Sequence, residues 1–200
     1  MRPPPESNVI KKDWRRADLR VALCYPNIYK AGMSGLTVQT LYAILNARED
    51  VACERAFLPT LEGEPLLSIE SRQPLSKFDV IAFTLQYEED YVNALRMLMN
   101  SGVELDRRRR RCRPLVVAGG PCAVQNPLPL SRFFDAFFIG DFEAASDEFI
   151  DALKESAELG ELDPLMALPY VYLPESGERA RRIWARDLNE APHPIAQVIP

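Results

Sequence analysis

Five short apolar runs, each closed by turn residues and separated by stretches of helical period, constrain this chain more than any other feature. The runs are 19–25 (LRVALCY), 51–58 (VACERAFL), 79–85 (DVIAFTL), 115–118 (LVVA) and 136–139 (AFFI). They are continuous rather than alternating, which suits strands buried on both faces, as in a parallel sheet. The second run is more mixed, as expected of a strand at a sheet edge.

Between the runs lie amphipathic stripes. Residues 36–47 align Val38, Leu41, Ile44 and Leu45, with Ser34 as the expected N-cap. Residues 88–101 align Tyr91, Leu95, Leu98 and Met99, and 143–157 align Ala145, Phe149, Leu153 and Ala157. Only short helices fit 65–70 and 130–134. Strands alternating with helices predict crossover units, hence a doubly wound, five-stranded α/β sheet in the flavodoxin-like or Rossmann-like manner, with strand order 2-1-3-4-5.

The chain divides into an N-terminal extension (1–18), the α/β domain (19–160) and a closing segment (161–200). The closing segment carries prolines at 164, 169, 174, 192, 194 and 200, too close together for a helix. YVYLPESGERARRIWARDL reads as a hairpin turning at 175–177, and the last ten residues read as a linker toward something further on.

Charge and cysteine usage exclude several classes. With 24 Lys and Arg against 29 Asp and Glu, the net charge is -5, and general nucleic-acid binding is not expected. No run approaches the roughly 20 apolar residues a bilayer span needs, and no signal-peptide pattern opens the chain. Cys24, Cys53, Cys112 and Cys122 are scattered without metal-like spacing, which fits a reducing cytoplasm. The dense run 107–111 within DRRRRRCR reads as a solvated loop, with RNA or an acidic partner as the alternative.

In an open parallel sheet, ligands bind outside the carboxyl ends of the strands. The loops expected there are 26–35, 86–88, 119–125 and 140–143, and they are small or glycine-rich. Gly119, Gly120 and Pro121 let backbone approach a ligand; Gly140, Asp141 and Glu143 lead into the last helix. No G-x-G-x-x-G or G-x-x-x-x-G-K-[ST] occurs, and Glu88, Glu89 and Asp90 at a helix start would repel phosphate. The single histidine, His193, lies in the proline-flanked tail, and Cys122 has no histidine base near it, so these residues alone are not expected to catalyse a reaction.

The succession YPNIYKAGMSGLTVQTLYAILN, FDVIAFTLQYEEDYVNALRML and PLVVAGGPCAVQNPLPLSRFFDAFFIGDFE resembles the N-terminal domain of cobalamin-binding-type radical SAM proteins, over most of residues 19–157. The resemblance implies a flavodoxin-like sheet holding cobalamin over its carboxyl edge. It also implies a following barrel that binds a four-iron cluster and S-adenosylmethionine through a Cys-x-x-x-Cys-x-x-Cys, a triplet that these residues lack. That barrel, beyond residue 200, is the partner it implies. Carried over by position, the cofactor-contacting residues are Ser34 and Gly35, Thr84, Leu85 and Gln86, Gly119, Gly120 and Pro121, and Gly140, Asp141 and Glu143. The Asp-x-His-x-x-Gly motif that supplies a cobalt ligand in the methionine synthase type is absent. Two other readings share the fold: a cofactor-free docking or scaffold domain, and a flavin- or nucleotide-binding module.

Overall fold

The computed structural model describes residues 5–60, 63–110 and 113–199; Arg111 and Cys112 of the basic run fall outside them. Strand β1 (Leu19–Ile28) runs into a short helix α1 (Tyr29–Met33), then helix α2 (Leu36–Ala47) and strand β2 (Val51–Leu58). Strand β3 (Val80–Thr84) leads to helix α3 (Asp90–Asn100), and β4 (Leu115–Gly119) to the short α4 (Pro121–Gln125). Strand β5 (Ala136–Phe138), helix α5 (Ser146–Leu159), the single turn α6 (Asp163–Met166) and β6 (Val171–Tyr172) follow.

These strands form one sheet in the order β2-β1-β3-β4-β5-β6. The first five are parallel, with Val21 opposite Val80, Val80 opposite Leu115, and Val117 opposite Ala136. This is the expected doubly wound α/β arrangement with β2 at the edge. The sixth strand is additional and antiparallel, Phe138 facing Val171. The order reverses between β1 and β3, where a sheet of this kind opens its crevice.

Both sheet faces are buried, which explains the unbroken apolar runs. Toward one face point Val21, Leu23, Val80, Val117 and Phe138, packed by α2 and α5 through Val38, Leu45, Ile150 and Leu153. Toward the other point Ala22, Cys24, Ile81, Phe83 and Phe137, covered by α3 through Ala94, Met97 and Leu98. Met99, expected on the buried stripe, is 62% exposed; the helix is rotated so that Met97 takes its place.

Several local expectations are corrected. Helix α2 begins after Gly35 without a side-chain cap. Ser34 instead donates its hydroxyl to Ala31 O at 2.8 Å, closing α1, which occupies what the sequence reads as a loop. Residues 65–70 are not helical: Leu67 bridges Pro74, and a 3-10 turn forms at Leu75–Lys77. Pro164 sits in the first turn of α6, where a missing N–H is harmless, so a short helix does form in the closing segment.

The amino edge of the sheet accounts for much of the basic run. Buried Asp79 accepts from Arg20 Nε and Nη2 at 2.8 and 2.9 Å and from Arg113 Nη1 at 2.9 Å. Arg110 pairs with Asp135 at 2.9 Å and donates to Phe133 O, while Arg107 donates to Ser131 O. Three arginines of this stretch therefore stitch loops together, leaving Arg108 and Arg109 in solvent.

The closing segment folds back on the domain. Ile183 pairs with the end of β5, its N–H donating to Ile139 O at 3.1 Å and its carbonyl accepting from Asp141 N at 3.0 Å. Val198 is buried against α2, so the tail is docked where the sequence reads as a free linker. Among the described residues, no helix is long and apolar enough to cross a membrane.

Candidate functional site

A cavity of about 490 Å³ opens between α2 and α5 and reaches the carboxyl edge of the sheet. Its floor is Val21, Leu23, Ala82 and Val117; one wall is Leu36, Thr37, Thr40 and Leu41 of α2. The other wall is aromatic. Phe138 packs edge-on to Phe142 and Phe149, with centroids 5.5 and 5.0 Å apart. The small side chain of Ala82 in mid-sheet, between the two helices, leaves the space open.

At the mouth stand Thr84, Gln86, Gly119, Gly120, Pro121, Gly140, Asp141 and Glu143, the residues expected there from the loops after β3, β4 and β5. Gln86 Nε2 donates to Thr84 Oγ1 at 2.9 Å, so the rim is partly self-satisfied. Three expected residues lie elsewhere. Ser34 and Gly35 are exposed beyond the start of α2, and Leu85 is buried in the core on the opposite face.

Two of the glycines answer to the chain itself. Gly120 has φ +97°, and a Cβ there would sit 2.7 Å from Leu85 O. Gly140 has φ +138°, and a Cβ would sit 2.1 Å from Ile183 O. Their left-handed backbone and close neighbours require glycine whatever the crevice holds.

The α2 wall was not foreseen. Its signal is Thr37 and Thr40, spaced i,i+3 beside Leu36 and Leu41, two hydroxyls breaking an otherwise apolar face. Tyr87 is 63% exposed, whereas Phe142 lies along the wall and Gln86 at the mouth.

The edge is acidic. Glu88 and Glu89 precede α3, and Asp90 in its first turn is buried with Oδ2 unpartnered among the described residues. Burial pushes the Asp90 carboxyl above its ordinary range. Such an edge disfavours a polyphosphate at the start of α3. Among the described residues, no three His, Cys, Asp or Glu side chains converge as a metal site. His193 is exposed, its Nδ1 3.0 Å from Ala191 O.

Comparison with known proteins places this geometry in a family. An uncharacterized protein of Methanocaldococcus jannaschii is 31% identical over 177 residues, which are 88% of this chain and 34% of that protein. The chain thus spans about a third of the length of this curated relative. No solved structure matches. A family described as radical SAM proteins, N-terminal, matches residues 37–174, from the α2 wall through the β5 edge to β6. The chain belongs to that family of radical SAM N-terminal domains.

Proposed function

We propose that this domain holds cobalamin at its carboxyl edge for a radical SAM catalytic domain in the same protein. The observation that carries the reading is the apolar crevice, open at the point where ligands enter doubly wound sheets. At about 490 Å³ the crevice has the size of a small-molecule site and would take one part of a cobalamin, the remainder lying outside the sheet edge. The residues fit a bulky, largely uncharged group: aliphatic and aromatic walls, hydroxyls of Thr37, Thr40 and Thr84, and no cation in the lining. Asp141 and Glu143 at the mouth suit the amide N–H donors on a corrin rim.

Bound cobalamin would supply methyl-transfer or radical chemistry. The chain's own contribution is to bind and orient it: the α2 and aromatic walls would exclude water, and the short loops of the mouth would leave room at the sheet edge. Residues 5–192 contain no histidine, so the domain core offers cobalt no imidazole. The four-iron cluster and S-adenosylmethionine would belong to the following domain, whose substrate and activity lie with it.

Titration of the chain with hydroxocobalamin, followed in the visible spectrum, tests the reading. A saturable one-to-one change is expected, weakened at least roughly tenfold by Ala82→Phe, which fills the crevice. The variant should still fold, because the added ring enters open space. No saturable change in the folded wild-type chain, or equal binding by the variant, would overturn the proposal.

A further inference from the structure

Gln39 and Tyr42 lie one turn apart on α2, outside its crevice wall, and each holds a distant segment by a reciprocal hydrogen-bond pair. Gln39 Nε2 donates to Val198 O, and Val198 N donates to Gln39 Oε1, both at 3.0 Å. Tyr42 Oη accepts from Ile10 N at 3.1 Å and donates to Ile10 O at 2.9 Å. The two segments also pair with each other. Ser7 N donates to Ile199 O at 2.8 Å, Ile199 N returns to Ser7 O at 3.2 Å, and Asn8 Nδ2 donates to Gln197 O at 2.9 Å.

A buried ion cluster anchors the same arm. Glu6 receives both terminal nitrogens of Arg55 at 2.8 and 2.9 Å and the hydroxyl of Tyr29 at 2.7 Å. Arg55 Nε goes to Glu70 at 2.7 Å. Residues 6–10 and 197–199 are thus clasped together over one side of α2.

The other side of α2 is the crevice wall. There Leu36, Thr37, Thr40 and Leu41 meet open space, and a side chain facing a void forfeits its dispersion contacts. Val38 and Leu45 hold the helix to the sheet, but its setting over the crevice depends on what grips the far side.

We infer that the clasp is a strap that sets the position of α2, so that the docking of the arm and tail and the occupancy of the crevice are coupled through this helix. The coupling is reciprocal: a ligand that fixes α2 tightens the clasp, and release of the clasp loosens the site. Coupling to a cofactor rests on the ligand reading of the crevice; coupling of clasp to α2 does not.

Amide hydrogen exchange on the ligand-free chain tests the second point by itself. In Gln39→Ala, amides of 197–199 and of 36–47 should exchange roughly tenfold faster, the loss of two buried hydrogen bonds. Amides of β3 and β4 should stay at wild-type rates. Fast exchange at 197–199 with α2 unchanged would overturn the strap. If Gln39→Ala raises exchange everywhere, Asn8→Gly decides: it removes only the exposed bond to Gln197 O while keeping a residue suited to the positive φ there, and a smaller increase confined to α2 and the tail is expected. Added hydroxocobalamin should then slow exchange at 197–199 in the wild type. Failure of that step alone, with the ligand-free coupling present, counts against the cofactor and leaves the strap standing.

Discussion

Gly140→Ala should cost about 4 kcal/mol, and the structure says where that comes from. The backbone there has φ +138°, a conformation whose cost for an L side chain is about 1–3 kcal/mol. The new methyl would also lie 2.1 Å from Ile183 O and 2.7 Å from Ile183 N, so residues 181–185 cannot stay in place. Three hydrogen bonds go with them: Ile183 N to Ile139 O, Asp141 N to Ile183 O, and Ala185 N to Asp141 Oδ2 at 3.1 Å. Each contributes about 1 kcal/mol net, and undocking relieves part of the strain, which keeps the total near the stated figure. Urea unfolding measures the loss, and limited trypsin digestion locates it: the side chains of Arg181, Arg182 and Arg186 are already exposed, but the backbone around them can thread into the protease only once the segment lifts. Gly35→Ala is the control, because a Cβ there meets nothing within 4 Å and the backbone is ordinary. If Gly140→Ala stays within about 0.5 kcal/mol of wild type and resists trypsin equally, the docking of Ile183 is refuted. Unchanged stability with lost cofactor binding would mean that the glycine faces a ligand.

Two further expectations concern charge. Arg55→Met leaves the buried carboxylates of Glu6 and Glu70 without their shared cation and should destabilise by about 3–5 kcal/mol in urea; Glu6→Ala should cost less, because Arg55 keeps Glu70. The Asp50 carboxyl is held well below its usual range, first by the hydrogen bond from Arg48, against partial burial, and then by Lys154. Its contribution is therefore present above its unfolded pKa of about 4 and lost as pH falls through the lower folded value. The stability gap between wild type and Asp50→Asn should be flat from about pH 8 to pH 5 and shrink below about pH 4. Urea midpoints taken across that range check it, and a gap that widens on acidification contradicts the pairing.

The sheet was legible in the sequence because burial on both faces leaves a local mark. The 51–58 run coincides with β2 and the 36–47 stripe with α2. Elements that depend on distant partners left no such mark. Strand β6 is two residues long and exists because Phe137 and Phe138 offer it an edge. The Gln39–Val198 pair joins residues 159 apart, and nothing near either residue announces it. At the site, the glycine-rich mouth was legible from loop composition. The α2 wall was marked only by Thr37 and Thr40, since Leu36 and Leu41 follow the same apolar period as a helix packed against a core. Ser34 misled for a related reason: a serine just before a helical stripe serves equally well at the end of the preceding turn, and α1 provided that turn.

The outer side of β2 is already in use. Ile69 N donates to Arg55 O at 2.7 Å, and Arg55 N donates to Glu70 Oε2 at 2.8 Å. Ser71 meets the Glu54 carboxylate through its N–H and hydroxyl at 3.2 and 2.7 Å. At the opposite margin, β6 offers only two residues in reversed direction. An intruding chain would find little free backbone at either margin to zip onto, which guards the molecule against fibril-like stacking. Any protein surface that packs here would meet side chains of the loops and helices, and its orientation would be set by shape and charge rather than by continuation of the ladder.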